Sequence, residues 1–353
     1  MKYYTTMDYF ANLYDRVARQ YPADVSGRDQ YEAWKKDVRI RLAEAVGLNL
    51  CQQAPAEPVL LDVMEAENYT REHWVIQTEP GVRMPFFLFK PVEGCNGGLV
   101  INPHGHGGGK EGNVGDPQNP AVKASNRDPA KKSFAEELVQ AGYYVACPDA
   151  RGSGERREIK QQGDLPENWR SSSHKEIAQM AVGLGMSMIG MMTWDLMRLL
   201  DHLLHTLPDL DPEKVACAGM SGGGHQSIYF AALDERVKCV VTSGYMYGFK
   251  EALLKQPSNC SCNYAPNLWK LIDMGDIGAM IAPRPLFVES GRYDPLAGAN
   301  GLENVYPQVQ IAREAYELLD KGECLVHSVH EGGHQWNGTG VIEFLDKWLM
   351  KDE

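Results

Sequence analysis

Residues 215–225 read VACAGMSGGGH and contain the pattern G-x-S-x-G, centred on Ser221, between a short apolar segment and a run of small residues. The apolar segment predicts a strand, and the residues after the serine predict a buried helix. A serine on such a turn has a strained backbone, which is tolerated where Gly219 and Gly223 lack side chains. The turn also directs the Gly222 N–H toward the place where an oxyanion would form. We therefore interpret Ser221 as a nucleophile and Gly222 as an oxyanion donor.

The segments around this turn alternate between strand-like and helix-like patterns. Predicted strands lie at 98–101, 143–147, 215–218, 237–243, 285–289 and 324–329, and predicted helices lie at 132–141, 187–206, 223–233, 307–320 and 340–350. Alternation of this kind builds a parallel sheet with helices on both faces. Three further strand-like segments, separated by turn residues, predict antiparallel strands that lead into this sheet: 59–63, 73–78 and 84–89. The predicted fold class is α/β.

The alternation also predicts how the chain is divided. Residues 1–55 contain two amphipathic patterns and predict a helical arm or cap, whereas 56–353 predict the catalytic domain. Stretches at about 108–131 and 152–186 interrupt the alternation and predict long irregular insertions at strand ends. Together with a third loop insertion at about 247–275, they are expected to form the walls of a binding pocket, because long loops at strand ends commonly carry function.

A serine hydroxyl needs a base to accept its proton and a carboxylate to orient that base. In folds with such a turn, the acid and then the histidine follow the serine along the chain. Asp294 lies a few residues beyond the predicted strand 285–289, in a loop rich in glycine and proline, and is the predicted acid. Glu289 is the alternative, but it lies within the strand and is better explained as an internal carboxylate.

The predicted base is His334, which lies beyond the predicted strand 324–329 and follows two glycines. His327 and His330 are the alternatives. His327 lies within the strand pattern and is expected to pack there, and His330 lies at the strand edge, where it would support the site indirectly.

The second oxyanion donor is expected in residues 102–109, which read NPHGHGGG. Glycines let backbone N–H groups approach a developing alkoxide, and the N–H after the first H-G pair belongs to His106. A phosphate-binding loop is disfavoured because Lys110 is followed by Glu111 and not by serine or threonine. His104 and His106 as metal ligands are also disfavoured, since no acid or third histidine lies nearby in the sequence.

Composition and charge exclude several function classes. The chain has 353 residues and a net charge of −12, without a basic run, so a nucleic-acid partner is not expected. The N-terminus lacks the apolar stretch of a signal peptide, and we expect a cytoplasmic protein. The longest apolar run, 178–193, is too short for a comfortable membrane span and is expected to be buried, so no membrane partner is expected.

The eight cysteines are expected to be reduced and structural. Cys260 and Cys262 form a C-x-C pair, but without a second pair or nearby histidines this spacing is poor for zinc. No cofactor and no metal are therefore expected.

With these motifs in place, the chain resembles the α/β-hydrolase superfamily and, within it, the dienelactone-hydrolase-like and acetyl xylan esterase-like branch. The blocks that carry the resemblance are PHGHGGG at 103–109, DARGSGE at 149–155, WDLMRLLDHL at 194–203, GMSGGG at 219–224, ALDERVK at 232–238, IAPRPLFVESGRYDP at 281–295 and EGGHQW at 331–336. The resemblance implies a mostly parallel, eight-stranded sheet and a triad of Ser221, Asp294 and His334 that acts through an acyl-enzyme. True dienelactone hydrolases have cysteine where Ser221 stands, which disfavours a dienelactone substrate.

The sequence thus predicts a serine carboxylic-ester hydrolase, with acetylated carbohydrates or other small esters as its substrate. One alternative is a peptidase similar to prolyl oligopeptidases, although the chain has no room for their N-terminal propeller. The other is a non-catalytic binding protein on a hydrolase scaffold, which the retained triad residue types disfavour. The expected partner is a small-molecule ester, and a homo-oligomer is left open.

Overall fold

A nine-stranded sheet forms the centre of the molecule. The computed structural model describes residues 3–125, 133–207, 209–256 and 259–350. The strands are β1 (Val59–Glu65), β2 (Tyr69–Glu79), β3 (Val82–Pro91), β4 (Leu99–Ile101), β5 (Tyr144–Pro148), β6 (Val215–Met220), β7 (Cys239–Ser243), β8 (Leu286–Gly291) and β9 (Leu325–His330). Their order in the sheet is β1-β2-β3-β5-β4-β6-β7-β8-β9.

Helices cover both faces of this sheet. The α-helices of the described residues are α1 (Met7–Val17), α2 (Arg28–Ala45), α3 (Gly109–Val114), α4 (Pro120–Lys123), α5 (Phe134–Gln140), α6 (Pro166–Arg170), α7 (His174–Gly183), α8 (Met188–Thr206), α9 (Gly222–Leu233), α10 (Leu268–Leu271), α11 (Met274–Ile281), α12 (Tyr306–Leu318) and α13 (Val341–Leu349). The predicted α/β fold with a mostly parallel sheet is confirmed.

The number of strands differs from the eight that the family resemblance implied. Strands β4 to β9 are parallel to one another, and β1 to β3 continue the same sheet as an antiparallel edge. The junction is the antiparallel pairing of β3 with β5, in which Phe87 lies opposite Cys147. The count of eight is wrong because all three antiparallel segments join the six parallel strands in one sheet.

The parallel strands are buried on both faces, which explains their continuous apolar sequences. Successive side chains of a strand point to opposite faces. In β4, Leu99 and Ile101 belong to an apolar cluster that also contains buried residues of α8, α9 and α11, whereas Val100 belongs to a second cluster with buried residues of α5 and α13. All three side chains are fully buried.

The two N-terminal helices contribute unequally to the core. In α2, Tyr31, Val38 and Leu42 are fully buried, and the Tyr31 hydroxyl donates to the Ala279 carbonyl oxygen at 2.7 Å. No residue of α1 is buried, and Phe10 is half exposed. Therefore α2 contributes fully buried residues to the core, whereas α1 contributes only partly buried ones such as Tyr14, which packs against it.

The three insertions contain helices, so the expectation that the first two are irregular is wrong. They form α3 and α4, then α6 and α7, and finally a π-helical turn at Lys250–Leu254 together with α10. One of their polar residues caps a helix: the Asn119 side-chain oxygen accepts from the Ala121 N–H at 2.8 Å at the start of α4. Residues 126–131 and 257–258 of the insertions, and residue 132 of the predicted helix 132–141, lie outside the described residues.

The apolar run 178–193 is only partly buried. It spans the end of α7, where Met180 and Leu184 are exposed, and the start of α8, where Ile189 and Met192 are buried. In the described parts of the chain, no single helix is long and apolar enough to cross a membrane. The helices α7 and α8 meet these criteria only as a pair bent by 100°.

Candidate active site

Ser221 lies at the turn between β6 and α9, with φ 58° and ψ −121°. A positive φ is strained for a residue with a side chain. The Ser221 N–H donates to the Ser243 carbonyl oxygen at 2.8 Å, which ties the turn to the end of β7. A Cβ at Gly219 would lie 2.5 Å from the carbonyl carbon of Gly223, and one at Gly223 would lie 2.1 Å from the Pro103 carbonyl oxygen. Both positions therefore require glycine.

Three side chains from the ends of β6, β8 and β9 meet within hydrogen-bond distance. His334 Nε2 lies 2.8 Å from Ser221 Oγ, and His334 Nδ1 lies 2.7 Å from Asp294 Oδ2. Because Nδ1 faces a carboxylate, we assign the proton to it, which leaves Nε2 to accept from the serine hydroxyl. The second Asp294 oxygen accepts from the Leu296 N–H at 2.8 Å. The orientation of the carboxylate is thus set from both of its oxygens.

Gly244 lies directly beneath this pair and was missed in the sequence analysis. Its φ is 61°, and a Cβ there would lie 3.3 Å from His334 Nδ1 and 3.4 Å from Asp294 Oδ2. A side chain at this position would be strained and would press on the imidazole. The available signal was a glycine directly after the apolar strand β7, at the same sheet edge as the predicted catalytic loops.

Glu289, the alternative acid, serves a different group of donors. It is fully buried; its Oε1 accepts from Ser243 Oγ at 2.7 Å and from the Asn337 N–H at 3.0 Å, and its Oε2 accepts from the Gly338 N–H at 2.8 Å. Among the described residues, these hydrogen bonds run to β7 and to the loop after β9, and none runs to His334. The geometry gives Glu289 the role of fastening that loop.

The alternative bases also have other partners. His327 Nε2 lies 3.1 Å from Ser290 Oγ, and burial lowers the pKa of His327 to about 4. His330 Nδ1 accepts from the Gly332 N–H at 3.0 Å and thereby holds the turn before His334. Within the described chain, neither imidazole forms a hydrogen bond with Ser221.

The glycine-rich loop after β4 packs directly on the serine turn. A Cβ at Gly105 would lie 3.0 Å from the Met220 carbonyl oxygen and 3.3 Å from Ser221 Cβ. Gly222 is the first residue of α9, so its N–H has no intrahelical acceptor. The His106 ring lies against it, since a Cβ at Gly222 would be 3.1 Å from His106 Nδ1. The structure thus brings His106 and Gly222 together beside Ser221.

Buried polar contacts anchor this loop from behind. His104 Nε2 accepts from the Ala150 N–H at 3.0 Å, and burial lowers the pKa of His104, which keeps the ring neutral. The Lys110 ammonium is fully buried and pairs with Asp149 at 3.1 Å and with Glu155. Lys110 therefore fixes the loop to the segment after β5.

A cavity of about 320 Å³ opens at Ser221. Its lining residues are His106, Ser221, Gln256, Asn259, Cys260, Leu296 and His334. No lysine, arginine, aspartate or glutamate is among these described lining residues. Of the three stretches predicted as pocket walls, only 247–275 contributes to this lining. The described lining is therefore polar and holds no carboxylate, ammonium or guanidinium group.

Two cysteines beside this cavity lie against two histidines. His174 Nδ1 is 3.1 Å from Cys260 Sγ, and His106 Nε2 is 3.4 Å from Cys262 Sγ. The spacing of the C-x-C pair in the sequence predicts no nearby histidines and therefore no zinc site. That premise is wrong, because the fold brings in histidines that are 86 and 156 residues away along the chain.

Comparison with known proteins agrees with this architecture. The model of the Abhydrolase family matches residues 14–306. The chain belongs to this family. Membership confirms the predicted enzyme class, a hydrolase. The chain is also 26% identical over 313 residues to the protein YtaP of Bacillus subtilis (strain 168), covering 85% of this chain and 95% of YtaP.

Several solved structures that are similar to this α/β hydrolase carry esterase names. A Bacteroides fragilis protein assigned as an acetyl xylan esterase has a TM-score of 0.77 at 18% identity, with 94% of this chain and 83% of that chain covered. Acetyl Xylan Esterase 1 from Thermoanaerobacterium sp. has a TM-score of 0.59 at 15% identity, with 96% and 98% covered. A glucuronoyl esterase from Solibacter usitatus has a TM-score of 0.65 at 16% identity, with 94% and 96% covered. At these identities the likeness establishes the fold, and it confirms the acetyl xylan esterase-like resemblance at that level.

Proposed function

We propose that this α/β hydrolase cleaves small, uncharged carboxylic esters, with acetylated carbohydrates as the favoured substrates, through an acyl-enzyme on Ser221. The observation that carries the proposal is the hydrogen-bonded series Ser221 Oγ, His334 and Asp294, at 2.8 Å and 2.7 Å, at the floor of a cavity. A nucleophile, a base and an orienting carboxylate in this order are what acyl transfer requires.

In the proposed reaction, Ser221 Oγ attacks the ester carbonyl carbon while His334 Nε2 takes the hydroxyl proton. Asp294 accepts the hydrogen bond from Nδ1–H and stabilises the imidazolium that forms. The backbone N–H groups of Gly222 and His106 donate to the oxyanion of the tetrahedral intermediate. His334 then gives the proton to the leaving alcohol oxygen, and the C–O bond to the alcohol breaks. Water repeats the sequence and releases the carboxylic acid.

The lining of the cavity supports the proposed substrate class. Its volume is near the lower end of the usual range for ligand sites, which runs from about 300 to 1,000 Å³, so a short acyl chain is favoured. The amide groups of Gln256 and Asn259 can donate to and accept from sugar hydroxyls. No lysine, arginine, aspartate or glutamate among the described lining residues is placed to pair with a charged substrate group, which favours neutral esters.

The proposal is tested with p-nitrophenyl esters from acetate to octanoate and with acetylated xylo-oligosaccharides, using wild type, Ser221→Ala and, as control, the exposed Ser26→Ala. We expect a steep preference for acetate, release of acetate from the oligosaccharides, and loss of activity only in Ser221→Ala. A preference for long acyl chains would favour a general carboxylesterase over an enzyme that acts on acetylated carbohydrates. Faster cleavage of matched p-nitroanilides would favour the peptidase alternative. Equal rates in all three proteins would refute the role of Ser221.

A further inference from the structure

Four side chains with metal-binding atoms meet at the edge of the Ser221 cavity, and the acyl-transfer steps use none of these atoms. His106 comes from the glycine-rich loop, His174 is the first residue of α7, and Cys260 and Cys262 flank Ser261 in the insertion after β7. The atoms His106 Nε2, His174 Nδ1 and the two Sγ atoms all lie within 4.8 Å of one another. Three distant segments of the chain thus supply two imidazoles and two thiols to one point.

The separations among these atoms suit a tetrahedral ion. Zinc binds thiolate sulfur at about 2.3 Å and imidazole nitrogen at about 2.0–2.1 Å, which places neighbouring ligand atoms about 3.3–3.8 Å apart. The contacts of His174 Nδ1 with Cys260 Sγ at 3.1 Å and of His106 Nε2 with Cys262 Sγ at 3.4 Å lie close to these tetrahedral edges. Small side-chain movements would therefore place all four atoms around one ion.

Neighbouring groups orient the ligands as the outer shell of a metal site does. His174 Nε2 lies 3.0 Å from Ser153 Oγ, so an Nε2–H can donate to that hydroxyl and leave Nδ1 free to bind metal. The Asn263 side-chain amide donates toward Cys262 Sγ at 3.9 Å and to the Cys260 carbonyl oxygen at 2.9 Å. These contacts accommodate the imidazole tautomer that metal binding needs and hold the position of one sulfur.

Burial separates a closed side of the cluster from an accessible side. His174 and Cys262 are 4% and 2% exposed, and Cys262 packs in a small apolar cluster with Met188 and Met192. His106 is exposed and Cys260 is half-buried, and both line the Ser221 cavity. An ion could enter from the cavity and would then be shielded by the protein on its far side.

We propose that the protein binds one structural zinc ion through His106 Nε2, His174 Nδ1, Cys260 Sγ and Cys262 Sγ. Thiolate together with imidazole selects zinc over harder cations, and four protein ligands leave no open position, as in structural zinc sites. On binding, both thiols lose their protons to solvent and both sulfurs bind as thiolates. The ion joins the glycine-rich loop, α7 and the 260–262 turn, and so holds the backbone around the His106 N–H and one wall of the cavity.

The direct test is the metal content of the full chain, purified under reducing conditions with any affinity tag removed, after equilibration with zinc and passage over a metal-free column. Plasma mass spectrometry is expected to find one zinc ion per chain. X-ray absorption is expected to find two sulfurs at about 2.3 Å and two nitrogens at about 2.0–2.1 Å. Absence of zinc, a shell of nitrogen and oxygen only, or a disulfide between Cys260 and Cys262 in place of zinc would overturn the proposal.

Variants assign the ligands without depending on enzymatic activity. Cys262→Ser and His174→Gln are expected to lose most of the zinc, whereas the exposed Cys95→Ser and His205→Gln are expected to retain it. Ser221→Ala is also expected to retain the full amount, which separates the zinc proposal from the proposed hydrolysis. Circular dichroism checks that each variant is folded. Full zinc content in folded Cys262→Ser would overturn the assignment, and the wild-type measurement decides the question if that variant does not fold.

Discussion

If Asp294 and not Glu289 orients His334, replacing each carboxylate by its amide should affect different properties: catalysis at Asp294 and stability at Glu289. In Asp294→Asn, the amide can donate an N–H to His334 Nδ1, which favours the imidazole tautomer with its proton on Nε2. A protonated Nε2 cannot accept the proton of the Ser221 hydroxyl. The equivalent change in a serine protease triad lowers kcat about 10⁴-fold, or about 5.4 kcal/mol of transition-state stabilisation. We expect a loss of that order here, with little change in the free energy of unfolding.

In Glu289→Gln the loss should appear in stability. The glutamine carbonyl oxygen can keep the hydrogen bonds from Ser243 Oγ and the Asn337 N–H, but its N–H₂ then faces the Gly338 N–H. One hydrogen bond to a charged group is lost and two donors face each other, which costs about 1.5–3 kcal/mol. The folded fraction should keep kcat within about tenfold of wild type, because this carboxylate does not contact the reacting groups.

The assay combines kcat and KM for p-nitrophenyl acetate with urea unfolding of wild type and both variants. The expected result is a large fall in kcat for Asp294→Asn alone and a lower unfolding midpoint for Glu289→Gln alone. A large fall in kcat for a fully folded Glu289→Gln, with near-normal turnover by Asp294→Asn, would refute the reasoning and reverse the two roles.

Two further predictions concern stability. Burial acts to raise the pKa of Asp195, but Arg151 at 2.9 Å and Arg156 at 2.8 Å hold that pKa below its ordinary value. Asp195→Asn should therefore lower the free energy of unfolding, measured by urea titration, by about 3 kcal/mol at pH 7. The difference from wild type should shrink below about pH 4, where the carboxylate of the unfolded chain becomes protonated. An equal difference at pH 7 and pH 3 would contradict this prediction. Gly223→Ala should lower the free energy of unfolding by about 1–3 kcal/mol, because its methyl group would overlap the Pro103 carbonyl oxygen of the glycine-rich loop. Gly183→Ala, where no atom of the described residues lies near the added methyl group, should be neutral or slightly stabilising. Equal thermal midpoints for these two glycine variants would show that the packing argument is wrong.

Local patterns in the sequence were sufficient for the sheet and for the groups that meet at its carboxyl edge. The strands β4 to β9 are apolar runs because both faces are buried, and Ser221, Asp294 and His334 each follow one of these strands closely. Parallel strands end at a common edge of the sheet, so residues that each follow such a strand become neighbours even when they are far apart in the chain. The strand pattern in the sequence is therefore enough to predict that they meet.

Other features depend on contacts that no local pattern records. The polar composition of the first two insertions predicts irregular loops, but Asn119, for example, caps the short helix α4 there. The grouping of His106, His174, Cys260 and Cys262 depends on where α7 and the 260–262 turn pack against the glycine-rich loop. Since these segments come from different crossovers, their spacing in the sequence gave no sign of the cluster.

The assignment of Ser221 as the nucleophile can be tested by reaction with a fluorophosphonate, followed by intact-mass and peptide mass spectrometry. We expect one adduct per chain, located on Ser221, with parallel loss of p-nitrophenyl acetate hydrolysis and no adduct in folded Ser221→Ala. An adduct on another residue, or no adduct on a wild-type protein that still hydrolyses the ester, would contradict it.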